Sequence, residues 1–184
     1  MGKNVSWFGM FKKIVVRILI RFLRFRGAHF GSDCAIGPGF DWIEASWRNV
    51  TVRDGVVIGR RAWIQTVLDD SRVTIGARTS IGRDVVISAA SSITIGNDCL
   101  LSYRVSLIDH DHDFECGKSP VSTKVTNAKG INIGDRTFVG ANSIILKGVT
   151  IGEDSIVGAG SIVTKSFPPK SIVAGNPASL IGSR

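Results

Sequence analysis

"IGDRTFVGANSIILKGVTIGEDSIVGAGSIVTK", residues 133–165, carries a β-branched aliphatic at every sixth position: Ile133, Val139, Ile145, Ile151, Val157 and Val163. Glycine follows at 134, 140, 152 and 158, and a small or slim residue stands four places after the aliphatic at Thr137, Ser143, Val149, Ser155 and Ser161. A helix repeats every 3.6 residues and a half-buried strand every 2, so neither produces this spacing. A chain that turns a corner every six residues does. The aliphatic fills an interior, and the slim residue also faces inward near the corner. Three such sides close a triangular coil, and coils stack at the strand spacing of about 4.8 Å, each burying the next. On this reading the glycines supply backbone angles that a Cβ penalises.

The same register runs upstream. Ile75, Ile81, Ile87 and Ile93 form one run; after a two-residue insertion, Ile95, Leu101 and Leu107 form another. Val52, Ile58 and Ile64 form a third, and Phe30 and Ile36 begin the series. Cys34 and Cys99 fall four places after Phe30 and Ile95, which predicts small buried core residues. Cys116 lies outside the repeat and is assigned no role. Three cysteines without metal-type spacing fit a reducing compartment.

The register fails between Asp109 and Gly130. Here "LIDHDHDFECG", residues 107–117, holds two of the three histidines and the aspartates 109, 111 and 113. A loop thrown from a rigid coil is a common seat of chemistry. Imidazole can take a proton from an attacking hydroxyl near neutral pH and release it afterwards, so the cluster suits a general base. Asp109, Asp111 and Asp113 are candidates to orient the ring or bind hydroxyl groups; as isolated residues each also reads as a solvated loop charge. A divalent cation is the rival occupant. The third histidine, His29, lies many coils away and reads as structural, so no metal site is expected.

The repeat, together with the ending "VGAGSIVTKSFPPKSIVAGNPASLI" (157–181), resembles the hexapeptide-repeat acyltransferases, and among them the maltose–galactoside acetyltransferase branch and related sugar O-acetyltransferases. The resemblance covers roughly residues 28–182. It implies an all-β, left-handed parallel β-helix over 28–184, with a protruding active-site loop at 109–130 and a C-terminal tail. The left-handed winding runs against the usual crossover rule and comes from the family alone. The implied reaction is acetyl transfer from acetyl-CoA to a sugar or glycan hydroxyl by a homotrimer, with the coenzyme in a groove between neighbouring β-helices. The family's catalytic histidine lies sixteen residues beyond the Gly of the preceding Ile-Gly pair, which from Gly96 gives His112 as base. His110 then supports acceptor binding or serves as base in its place. Ala141, Gly158, Ala159 and Gly160 match positions whose backbone lines the pantetheine arm; Thr164 and Lys165 match a coenzyme-contacting pair. Lys147 and Lys170 read as surface charges. Two departures stand out: Phe138 where the family often has Trp, and Ser179 where a basic residue is common.

The net charge of +8 is concentrated in residues 1–26, which carry Lys3, Lys12, Lys13, Arg17, Arg21, Arg24 and Arg26 and no acid. The rest of the chain nearly balances, which argues against a nucleic-acid partner. Arginines interrupt the N-terminal apolar run, so neither a signal peptide nor a membrane span is expected. "MGKNVS" formally fits a myristoylation pattern and is read as chance. Residues 5–26 read as a basic amphipathic helix within an N-terminal segment, 1–27. Such a helix suits an anionic membrane surface, or caps the open end of the solenoid, or does both. The combined expectation is an O-acetyltransferase of bacterial surface glycans such as lipopolysaccharide, O-antigen or exopolysaccharide. It would be cytoplasmic and could work at the inner face of the plasma membrane. The alternatives are an acetyltransferase for a small free acceptor such as an antibiotic or amino acid, and a non-catalytic scaffold.

Overall fold

A computed structural model describes residues 7–41, 45–113, 119 and 124–184, with side chains from residue 14 onward. Cys116 and the centre of the 109–130 insertion lie outside the described residues. After one helix, α1 (Trp7–Phe25), the chain winds as a parallel β-helix with three flat faces. The first face stacks six strands, from His29–Phe30 to Thr150–Ile151. The second stacks eight, from Ala35–Ile36 to the terminal Ala178–Ser183, and the third stacks five, from Trp63–Thr66 to Ile162–Val163. Register between coils is parallel throughout, as in Leu101 on Ile81 and Val139 on Leu101. The last strand is the exception: it folds back antiparallel on Ser171–Gly175.

The six-residue rule describes the interior. Ile133, Thr137, Val139, Ser143, Ile145, Val149, Ile151, Ser155, Val157, Ser161 and Val163 are all buried. Cys99 is buried as expected, but Cys34 is only half-buried: it sits in the first coil, where fewer neighbours cover it, and its Sγ lies 3.1 Å from the Arg53 carbonyl.

The repeat glycines have a different cause from the one their sequence position suggests. A Cβ built on Gly82 would meet the Ser102 carbonyl carbon at 2.6 Å, and one on Gly140 the Ala159 nitrogen at 2.5 Å, with neither glycine at positive φ. They are needed because the next coil lies directly on them. The left-handed backbone falls two residues later and is taken mostly by charged or amide side chains: Arg61, Arg78, Asp84, Asp98, Arg104, Arg136, Asn142 and Asp154, all with φ between 54° and 58°. Such conformations cost about 1–3 kcal/mol each outside glycine. A hydrogen-bond ladder down two of the three corners offsets this. At the corner between the first and second faces, the amides of Arg78, Asp98, Arg136 and Asp154 donate to the carbonyls of Asp54, Ala77, Asn97 and Asp135 in the coil before. At the corner between the second and third faces, Asp84, Arg104, Asn142 and Gly160 donate likewise to Arg60, Arg83, Tyr103 and Ala141. The third corner, between the third and first faces, is bonded through other residues: the amides of Asp109, Lys129 and Gly148 donate in turn to the carbonyls of Ser88, Asp109 and Lys129, and the insertion leaves between Asp109 and Lys129.

Side chains at the left-handed positions pair across coils. Arg61 reaches Asp84 at 2.7 Å, Arg78 reaches Asp98 at 2.6 Å, and Arg136 reaches Asp154 at 2.8 Å and Glu153 at 2.6 Å. Hydrogen bonds from these arginines hold the carboxyls of Asp84, Asp98 and Asp154 below the usual carboxylate range. A carboxyl whose folded pKa lies below its unfolded one stabilises the fold above about pH 4, and that contribution disappears as pH falls through the lowered value. Arg136→Met should therefore melt below wild type at pH 7, with the gap closing toward pH 3 and narrowing in high salt. Thermal unfolding at the two pH values checks this.

α1 closes the start of the solenoid. Its Leu23 and Ile20 are buried in the same cluster as Phe30, Ile36, Phe40 and Trp47. The Ala28 amide donates to the Leu23 carbonyl, and the Arg24 guanidinium donates to the carbonyls of Phe30 and Gly31 at 2.8 and 3.0 Å. α1 thus packs over the first coil through Ile20 and Leu23.

Candidate active site

The 109–130 insertion leaves the third corner between Ser106–Ile108 and Ile131–Ile133. It is not irregular throughout: Asp111–His112 pairs antiparallel with Val125–Thr126, so its base is a short β-hairpin. The hairpin is pinned at both ends. Below it, Asp109 turns into the corner of the preceding coil and is fully buried. Its two carboxylate oxygens accept the amides of Ala90 at 2.6 Å and Ser91 at 2.8 Å. Its own carbonyl accepts the Lys129 amide, and the Lys129 carbonyl accepts the Gly148 amide of the coil above. Above it, Lys147 donates to the Asp111 carboxylate. Lys147 is the main cause holding that carboxyl below its ordinary value, against a smaller desolvation effect, with further help from an Asn127 hydrogen bond.

The two histidines differ sharply. His110 Nδ1 lies 3.1 Å from Asp109 Oδ1, and its side chain keeps 7% of its exposure. A carboxylate only accepts, so it selects the tautomer with hydrogen on Nδ1 and leaves the Nε2 lone pair free. His112 is exposed, with its ring centroid 6.0 Å from that of His110 in an edge-on arrangement. Asp113 donates its amide to the Lys124 carbonyl at the far end of the hairpin base. His29 sits exposed on the first coil, apart from this cluster.

The residues expected to meet the coenzyme fall at two different corners. Thr164 and Lys165 are exposed and follow the last third-face strand, so they continue the third corner beyond Lys147. The Lys165 ammonium lies 5.8 Å from the centre of the Phe167 ring. Ala141, Gly158, Ala159 and Gly160 lie at the second corner. Ala159 and Gly160 are exposed, Ala141 is buried, and nothing stands within 4 Å of a Cβ built on Gly160. The structure thus brings His110, Asp109, Asp111 and Lys147 together and puts Thr164 and Lys165 on the same corner. It leaves the Ala141 and Gly158–Gly160 group across the third face. Lys147, read from sequence as a surface charge, belongs to the histidine cluster. Its partner lies 36 residues away, and only the coil repeat could have related the two.

A family model described as "Hexapeptide repeat of succinyl-transferase" matches residues 72–102 and 130–165. WcaF of Escherichia coli K12, named for acetyl transfer in colanic acid biosynthesis, is 31% identical over 155 residues, covering 75% of each chain. WbbJ of the same strain, named for O-acetyl transfer in lipopolysaccharide biosynthesis, is 34% identical over 104 residues. That alignment covers 53% of each, so the chain spans about half the length of this relative. Among solved structures, the N-acyltransferase AntD of Bacillus cereus, in complex with dTDP and coenzyme A, superposes with a TM-score of 0.74 at 21% identity, covering 89% of both chains. At that identity the likeness concerns the fold. Taken with the coil repeat and the match to WcaF, these findings mean that the chain belongs to the hexapeptide-repeat acyltransferase family.

Proposed function

We propose that this chain is an acetyl-CoA-dependent O-acetyltransferase acting on a sugar hydroxyl of a bacterial surface glycan. The observation that carries the reading is the Asp109–His110 pair, an imidazole fixed by a buried carboxylate at the one corner that carries the long insertion. The relatives' names, colanic acid and lipopolysaccharide, supply the acceptor class. AntD, of the same fold, is complexed with coenzyme A.

In this reading His110 is the base and Asp109 its positioning residue. The acceptor oxygen attacks the thioester carbonyl carbon while Nε2 of His110 takes its proton. Asp109 holds the ring and offsets the positive charge it acquires. The tetrahedral intermediate collapses, the carbon–sulfur bond breaks, and the thiolate of coenzyme A recovers the proton from the imidazolium. The products are the acetyl ester and free thiol. His112, exposed beside His110, contacts the acceptor. Family spacing favours His112 as base, but burial and the carboxylate contact favour His110.

The split of the coenzyme residues between two corners fits an assembly in which the second corner of one subunit faces the third corner of the next.

The experiment is thiol release from acetyl-CoA with acetyl-free lipopolysaccharide or exopolysaccharide oligosaccharides as acceptors, followed by mass analysis of the glycan. A gain of one acetyl per acceptor, removed by mild base, is expected. Thiol release that is independent of any glycan, or an acetyl found only on amines, overturns the reading.

A further inference from the structure

α1 has more surface than a cap requires. Its inward face is Ile20 and Leu23, flanked by the half-buried Val16 and Leu19. At 3.6 residues per turn, Ile14, Val15, Ile18 and Phe25 fall on a separate stripe, roughly 140° round the helix from the buried face. They are 46%, 48%, 62% and 86% exposed. Arg17, Arg21 and Arg24 form a row along one side of this stripe, and Arg26 lies on the other side, over the Phe22 ring at 6.0 Å. The helix contains no acid. Between the arginine row and the first coil runs a groove of about 840 Å³, lined by Arg17, Arg21, Arg24, Ser32, Asp33 and Cys34, with one acid against three arginines. Among the described residues no helix is long and apolar enough to cross a membrane.

We infer that α1 is a membrane-surface anchor. Its apolar stripe enters the headgroup–acyl boundary of an anionic bilayer, and the arginine row and groove receive lipid phosphates. An apolar stripe with basic flanks is the arrangement that binds in the interface plane. Charge selects the occupant. A second copy packed stripe to stripe about a two-fold axis would bring two acid-free arginine rows together, whereas an anionic surface neutralises them. The inference stands apart from the acyl-transfer reading, because none of these residues lies at the third corner.

The test is flotation of the full chain with vesicles of pure phosphatidylcholine and of phosphatidylcholine containing about one-third phosphatidylglycerol. Wild type should float with the anionic vesicles, remain behind with the neutral ones, and be released by high salt. Ile18→Glu should weaken anionic-vesicle binding about tenfold or more. The double variant Arg17→Ser, Arg21→Ser should weaken it about fivefold per arginine. Both changes are on exposed positions, and unchanged circular dichroism melting verifies the fold. Absence of wild-type flotation, or equal flotation with neutral and anionic vesicles, overturns the inference. So does lipid-free self-association that Ile18→Glu abolishes, since a second copy would then occupy the stripe.

Discussion

His110→Ala should lower kcat for acetyl transfer by about 10²–10⁴-fold, the usual contribution of a positioned general base. The KM for acetyl-CoA should change little, because the variant removes a proton acceptor and not a coenzyme contact. His112→Ala should instead raise the acceptor KM and leave kcat within about tenfold, as expected for a residue that binds substrate and transition state alike. Initial rates of thiol release, varied in each substrate, separate the two. The opposite pattern would transfer the base to His112, at the position that family spacing favours. The argument for His110 is geometric. Of the two rings, it is the one held, among the described residues, by a carboxylate, which is itself buried at 0% exposure.

Asp109 should show two separable losses. In Asp109→Ala the amides of Ala90 and Ser91 lose their acceptors inside a closed corner. An unsatisfied buried donor costs about 1–3 kcal/mol, so two predict a destabilisation of about 2–5 kcal/mol together with loss of the insertion's lower anchor. Asp109→Asn keeps one acceptor oxygen and the shape, so it should unfold between wild type and the alanine variant. Its activity should nonetheless fall at least tenfold, because a neutral amide neither fixes the Nδ1–H tautomer as firmly nor offsets the imidazolium charge. Urea unfolding and kcat measured on the same preparations test both. An asparagine variant that loses stability but keeps kcat would reduce Asp109 to a structural cap.

The solenoid was legible because its determinant is local. One aliphatic every six residues cannot be placed on a helix or a single strand, and each of the positions named from Ile133 to Val163 is buried. The glycines were legible as corners, but their reason was not. The backbone they must avoid belongs to a coil some twenty residues later, as with Gly82 and Ser102. The site divides in the same way. A break in the repeat marked the insertion and its histidines. What distinguishes His110 from His112 is a pair of amides, Ala90 and Ser91, 19 and 18 residues before Asp109. Lys147 was hidden for the same reason, since its relation to Asp111 exists only once coils are stacked. Cys34 shows the limit of the rule at an end: in register, but with too little protein beyond it to bury it fully.

The hairpin base is fastened to the coil beneath through Asp109 and to the coil above through Lys147, and its ladder closes at Asp113 and Lys124. Every hydrogen bond described for the solenoid is therefore independent of which residues join 113 to 124. The third corner works as a socket: a lineage can exchange residues 114–123 while Asp109, His110 and the prism that holds them are inherited unaltered.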